Sequence, residues 1–145
     1  MIGVLFSVIA GAVMSLQGVM NTRLSEKIGV LESNAFVQGT AFAVGLLAML
    51  IFGRGNFRAI TGVRWYYLLG GALGFVITLT VILSIKGLSP TAAVSIILIS
   101  QLLTAALIDA FGWFDTARIP FTWQKYAGLA LMLGGILLFK WKVVK

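Results

Sequence analysis

Apolar residues run along this chain in five long stretches separated by short polar connectors. The stretches cover residues 2–20, 35–52, 65–85, 92–111 and 126–139. Because lipid offers the backbone no hydrogen-bond partner, an apolar stretch of about 20 residues crosses a bilayer as a helix. The pattern therefore predicts an all-α integral membrane protein with five transmembrane helices.

Polar and flanking residues set the predicted helix ends. A single transmembrane domain is expected over 1–145, with helices at about 2–20, 35–52, 65–85, 92–111 and 123–144. Residues 25–29 are expected to form a polar turn. Helix 2 is expected to open at Ser33 and Asn34, which can cap exposed amides, and helix 4 at Ser89 and Pro90. The last helix is extended to 144 because its terminal lysines can snorkel to the headgroups.

Composition agrees with a membrane protein and excludes most other classes. Of the 145 residues 60% are hydrophobic and 10% charged, against about 25% charged in soluble domains. The net charge is +7, but all eleven Lys and Arg residues lie in connectors or at the C-terminus, which favours lipid headgroups over nucleic acid as partner. Without Cys or His, the chain lacks thiol nucleophiles, imidazole bases and the usual zinc ligands. No enzymatic activity, metal or cofactor is expected.

Small residues recur at every fourth position in two of the predicted helices. They are Gly3, Ser7, Gly11 and Ser15 in helix 1, and Gly70, Gly74 and Thr78 in helix 3. Stacked small side chains let a neighbouring backbone approach closely, which is how helices pack in lipid. Helix packing is the expected role, and the same faces can also slide past each other during transport.

Gln101 is the sharpest candidate for a substrate site. It lies halfway between Thr91 and Phe111, near the expected bilayer midplane, with Ser100 and Thr104 beside it. Transporters place their substrate sites at this depth. The alternative is an interhelical hydrogen bond, worth about 0.6–2 kcal/mol, and the sequence leaves both interpretations open.

Four amides form two pairs, each pair one helical turn apart. Gln17 pairs with Asn21, and Asn34 with Gln38. The four are expected to converge near one membrane surface, where they can line a vestibule. Capping and connector hydrogen bonds are the alternative, favoured for Asn21 and Asn34. Gln17 and Gln38 thus remain candidate substrate contacts.

Two charged residues are candidates for an ion or charge site. Asp109 is the one acid inside an apolar stretch and can bind a cation or relay protons. Its position near the helix end favours charge pairing with Arg118 or Lys125 over proton coupling. Arg23 closely follows helix 1 and either snorkels to headgroups or attracts an anionic substrate.

Several runs together resemble the small YdcZ-like branch of the drug/metabolite transporter superfamily, over essentially the whole chain. They are residues 17–24, residues 70–75, Ser100-Gln101 and residues 108–113. The family pattern has Gly-Gln at Ser100-Gln101 and Asp-His at Asp109-Ala110, so Gln101 and Asp109 are the matching positions. The resemblance implies a half-sized, multi-pass exporter of the bacterial inner membrane.

These observations predict a secondary transporter that exports an unidentified small molecule by alternating access. Many such transporters join two inverted repeats around a midplane site, and the chain looks like one five-helix half of a ten-helix protein. The alternative is a non-transporting membrane subunit that packs against or regulates another membrane protein.

The missing half is predicted to be a second, antiparallel copy of the chain. Five spans would place five positive charges on one surface and six on the other. The first set is Arg54, Arg58, Arg64, Arg118 and Lys125; the second is Arg23, Lys27, Lys86, Lys140, Lys142 and Lys145. Because the Lys/Arg bias sets orientation, so small a difference favours insertion both ways. A separate, oppositely oriented partner protein is the alternative.

Overall fold

The structure, a computed structural model, describes residues 1–140 and is helical throughout its regular elements. The α-helices are α1 (Ile2–Ile28), α2 (Val30–Phe52), α3 (Gly70–Gly87), α4 (Pro90–Phe111) and α5 (Trp123–Lys140). Short 3₁₀ turns cover Phe57–Gly62, Trp65–Leu69 and Trp113–Asp115. Residues 1–140 contain no strand, as the all-α prediction requires.

Four helical segments are long and apolar enough to cross a membrane. They are α1, α2, the segment Trp65–Gly87 and α4. Helix α5 is not among them, since its 18 described residues include Gln124, Lys125 and Lys140, which lower its mean hydropathy. The predicted continuation of this helix from Trp141 to Val144 lies outside the described residues. A fifth span therefore stays a prediction.

The chain divides into two compact units, Met1–Gly87 and Leu88–Lys145. In the first unit α1, α2 and α3 each contact the other two. In the second unit α4 packs against α5.

The predicted polar turn over residues 25–29 is wrong. Helix α1 continues to Ile28 and α2 begins at Val30, so Gly29 alone separates them. Its φ of 103° and ψ of 158° belong to a region that is essentially restricted to glycine. The Gly29 amide donates to the Ser25 carbonyl at 3.1 Å, and its carbonyl accepts from the Ser33 amide at 3.1 Å. Within this segment the Ser25 hydroxyl bonds to the Thr22 carbonyl and Glu26 pairs with Arg23, and both bonds lie within α1.

Ser33 and Asn34 are consequently not capping residues. Both lie inside α2 and both are fully buried. The predicted start of α4 is confirmed, because the Ser89 hydroxyl accepts from the Ala92 amide at 3.3 Å and Pro90 is the first helical residue.

Close packing of α1 on α3 occurs at Gly18, which the every-fourth-residue pattern does not include. A Cβ atom at Gly18 would lie 3.1 Å from both Val81 Cγ1 and Ile85 Cδ1. A Cβ at Gly3 or Gly11 would meet no atom within 4 Å. Gly70 is equally open, and at Gly74 the nearest atom is Gln38 Nε2 at 3.6 Å.

Helical geometry explains why the predicted stripe misses the packed face. Each residue turns the helix by about 100°, so a step of four advances the face by about 40° each time. Residues spaced by alternating steps of three and four stay closer to one face of the helix. In α1 the small residues Ser15, Gly18, Thr22 and Ser25 follow such steps, and the last three are buried.

The interior of the described chain holds few apolar side chains. The buried hydrophobic residues are Ile82, Ile85, Ala93 and Ile99. The buried polar residues are Asn21, Thr22, Ser25, Ser33 and Asn34. Most other apolar residues face outward, as expected where lipid is the solvent. All five buried polar residues lie on α1 and α2, and they define the first candidate site.

Candidate functional site

A polar seam runs where α1 meets α2 in the first unit. Three of its hydroxyls bond to helical backbone: Thr22 donates to Gly18 O at 2.8 Å, Ser25 to Thr22 O at 2.7 Å, and Ser33 to Asn21 O at 3.2 Å. The bond from Ser33 joins α2 to α1. The bonds from Thr22 and Ser25 stay within α1, and all three hydroxyl protons are used, which leaves little donor capacity for a ligand.

Asn34 and Gln38 differ from the rest of the seam because they face α3 and keep unused hydrogen-bonding atoms. The Asn34 side chain donates from Nδ2 to the Phe75 carbonyl at 2.9 Å. Within the described residues, Asn34 Oδ1 and Gln38 Nε2 are buried without a hydrogen-bond partner. One free acceptor and one free donor thus lie on successive turns of α2.

The amide pair lies in the first half of α2, as its fifth and ninth residues, and contacts the middle of another apolar segment. Phe75 lies near the middle of the apolar segment Trp65–Gly87, and Gly74 beside it leaves room for the Gln38 side chain. Leaving a buried polar atom unpaired costs about 1–3 kcal/mol. Polar groups inside a membrane protein either bond between helices or belong to a substrate pathway, and the unpaired atoms here favour the pathway.

Two of the four amides line a groove of the first unit. Gln17 and Asn21 line an open groove of about 760 Å³ between α1 and α2, together with Thr40 and several apolar residues. Asn34 and Gln38 are not among the residues that line this groove. Gln17 is exposed, whereas Asn21 is buried.

The predicted site on α4 is at the surface of the described chain. Gln101, Ser100 and Thr104 are exposed, and the Thr104 hydroxyl donates to the Ser100 carbonyl at 2.8 Å. Such a bond back to the preceding turn is ordinary for a helical threonine. The geometry of one chain thus leaves the Gln101 side chain facing outward.

Asp109 lies in a cavity of the second unit. The cavity, about 400 Å³ in volume, lies between α4 and α5. Asp109 and Lys125 supply its charged groups, and its apolar lining includes Leu102, Leu103, Ala106, Phe121, Leu129 and Met132. A pocket of this size with mostly apolar walls and few polar groups is typical of small-molecule sites.

The charge pairing predicted for Asp109 does not occur within residues 1–140. No ion pair within 4.0 Å joins Asp109 to Arg118 or Lys125. Arg118 instead donates from Nε to the Phe111 carbonyl at 3.2 Å. Lys125 Nζ lies 5.9 Å from the centre of the Phe121 ring, in a cation–π contact. The Asp109 backbone carbonyl accepts from the Ile119 amide at 2.9 Å, which folds the connector back onto α4.

Arg23 pairs within its own helix. Its guanidinium lies 3.1 Å from the Glu26 carboxylate, and the two side chains are 76% and 42% exposed. An exposed pair of this kind contributes about 0–1 kcal/mol, so it leaves Arg23 free to exchange partners at the surface.

The described residues contain no cluster of three or more metal-binding side chains. The candidate sites are therefore the amide pair Asn34/Gln38 in the first unit and the cavity with Asp109 and Lys125 in the second. The sequence favoured capping for Asn34 and named Lys125 only as a charge partner of Asp109. The one-turn spacing of Asn34 and Gln38 was the available signal for the first site.

Comparison with known families is consistent with this architecture. A family described as "Putative inner membrane exporter, YdcZ" matches residues 2–138. Neither the curated proteins nor the solved structures contain a match. The family match covers nearly the whole chain, including both units, and agrees with the apolar helices of a multi-pass inner membrane protein. The chain therefore belongs to the YdcZ family of inner membrane exporters.

Proposed function

We propose that this chain is a secondary transporter that exports small molecules by alternating access, as an antiparallel homodimer in the bacterial inner membrane. The observation that carries the proposal is the polar interior of the first unit. Asn34 is fully buried, yet Asn34 Oδ1 and Gln38 Nε2 have no partner beside the middle of the third apolar segment. A structural membrane subunit would use the bond from Asn34 to Phe75 O, but the two unpaired amide atoms add nothing to its packing, whereas a transporter needs polar groups that can accept a substrate.

The outward-facing residues support assembly with a second copy. Gln101, Ser100 and Thr104 are exposed on an apolar helix, where contact with lipid is unfavourable for a glutamine side chain. The stripe Gly3, Ser7, Gly11 and Ser15 has open space around its two glycines. We propose that the stripe packs against the second copy and that the α4 residues join the substrate site in the dimer. An antiparallel copy supplies the inverted repeat.

Transport by the purified full chain tests the proposal. The protein is reconstituted in liposomes and screened with labelled amino acids, nucleosides, sugars and the lipophilic cation ethidium. At least one compound should cross faster than in protein-free liposomes and in liposomes with heat-denatured protein. If purified, folded dimer moves none of them, the non-transporting subunit becomes the better interpretation.

Replacing Gln101 with alanine should reduce transport of the compound found in that screen about tenfold. The expected loss follows from one hydrogen bond to substrate, and each factor of ten corresponds to about 1.4 kcal/mol. The matched control is Thr80→Val, since Thr80 is also exposed but bonds to its own helix at Val76 O, 2.8 Å away. Unchanged flux through folded Gln101→Ala dimer would show that Gln101 does not contact substrate.

Orientation is tested with one introduced cysteine, because the chain has none. Gly55 lies in the connector after α2, and a Cβ there would meet no atom within 4 Å. In cells that express only this chain, Gly55→Cys should react with an impermeant thiol reagent in part of the population from each side of the membrane. Labelling from one side alone would rule out dual insertion and hence the antiparallel homodimer.

A further inference from the structure

The cavity between α4 and α5 has its charged groups at one end and its apolar groups at the other. Asp109 is the third residue from the C-terminal end of α4, and Lys125 is the third residue of α5. Leu102 and Met132 also line the cavity, each seven residues further into its helix. At 1.5 Å per residue this places the apolar end about 10 Å from the charged end.

The two opposite charges at this end are half-buried and do not pair with each other. Asp109 and Lys125 line the same cavity, both partly exposed, and no ion pair within 4.0 Å joins them. A ligand with one charge would be attracted by one of these residues and repelled by the other. A ligand with both charges close together satisfies both residues.

We propose that this cavity binds a zwitterion with an apolar body. Its ammonium group lies at Asp109, its anionic group at Lys125 and its apolar body toward Leu102 and Met132. The volume of about 400 Å³ suits one small molecule or the headgroup end of a lipid. Two sources share this chemistry: an apolar amino acid and a zwitterionic phospholipid such as phosphatidylethanolamine. The proposal rests on the second unit and does not require that the chain transports anything.

Binding to the purified full chain in phosphatidylglycerol nanodiscs tests the charge pattern. The probes are L-phenylalanine, phenethylamine, which lacks the carboxylate, and 3-phenylpropionate, which lacks the ammonium. L-Phenylalanine should bind at least tenfold more tightly than either. Asp109→Asn and Lys125→Gln should each weaken L-phenylalanine binding at least tenfold, whereas the exposed Glu26→Gln and Lys27→Gln, which make the same charge changes elsewhere, should not.

The single-charge probes distinguish ligand contact from a structural role. Lys125→Gln should tighten phenethylamine binding, because it removes the repelling ammonium, and Asp109→Asn should tighten 3-phenylpropionate binding. Misfolding would weaken every probe together and cannot produce this crossed pattern. The double variant D109K/K125D, which keeps both charges, should bind L-phenylalanine better than either neutral variant.

The lipid source is tested by repeating the measurement in phosphatidylethanolamine nanodiscs. If the native chain binds that lipid, L-phenylalanine should bind more weakly there than in phosphatidylglycerol, and Asp109→Asn and Lys125→Gln should abolish the difference. The L-phenylalanine pattern supports the zwitterion site, and the competition, which is measured through L-phenylalanine binding, identifies the phospholipid as a second ligand. Equal binding of phenethylamine and L-phenylalanine overturns the zwitterion site, as does the absence of L-phenylalanine binding. If the chain transports a compound but binds no zwitterion, only the zwitterion site is overturned. If the chain binds the zwitterion but transports nothing, only the proposed export function is overturned.

Discussion

Asn34→Leu should reduce transport at least tenfold without lowering the melting temperature of the protein. The leucine side chain has the same branched arrangement of four non-hydrogen atoms as asparagine, so α2 and α3 can stay packed with small shifts around its larger methyl groups. The variant loses one hydrogen bond, from Asn34 Nδ2 to Phe75 O, which contributes about 0.5–1.5 kcal/mol. It also removes the unpaired buried Oδ1, which costs about 1–3 kcal/mol. Stability should therefore stay constant or rise while the substrate contact is lost.

Flux in liposomes and thermal unfolding in detergent are measured on the same preparation. Gln38→Leu should behave in the same way, since Gln38 carries the other unpaired atom. Thr80→Val is the control for polar-to-apolar change, because its hydroxyl bonds only to its own helix. Stability that falls by several kcal/mol at unchanged specific flux would mean that Asn34 is a structural residue, and the polar interior would no longer support the proposed function.

The sequence predicted the helical class and the start of α4 because these depend on local properties. Apolar length specifies a span, and the Ser89-Pro90 signal correctly placed the start of α4. The first connector was wrong for a physical reason. Ser25, Ser33 and Asn34 are polar enough to end a helix, but each donates a side-chain hydrogen bond to backbone inside one: Ser25 to its own helix, Ser33 to α1 and Asn34 to α3.

The candidate sites were harder to predict because they depend on which faces meet. Asn34 and Gln38 could be recognised as a pair from their spacing, but only the neighbouring α3 backbone shows that they are buried. Lys125 comes from a different helix than Asp109, and no local pattern indicates that the two line one cavity. The exposed position of Gln101 likewise follows from helix rotation, which hydropathy does not specify when the whole helix is apolar.

Gly18→Leu should destabilise the protein by about 1–3 kcal/mol, the usual cost of forcing extra atoms into a packed interface. Even a Cβ at this position would lie 3.1 Å from both Val81 Cγ1 and Ile85 Cδ1, so a larger side chain must push α1 away from α3. Gly18→Ala should have a smaller effect, because side-chain tips can shift by a few tenths of an ångström.

Gly11→Leu is the matched control on the same helix. Its Cβ would meet no atom within 4 Å, and leaving glycine improves helix propensity by up to about 1 kcal/mol. Thermal unfolding of the monomer in detergent should therefore be unchanged or shifted upward for Gly11→Leu and clearly downward for Gly18→Leu. In the dimer the ranking of the two variants by melting temperature should differ from that in the monomer. Gly11 lies in the stripe proposed to contact the second copy, whereas Gly18 is buried within the chain. Equal melting temperatures for the two leucine variants would contradict the packing of α1 on α3 at Gly18.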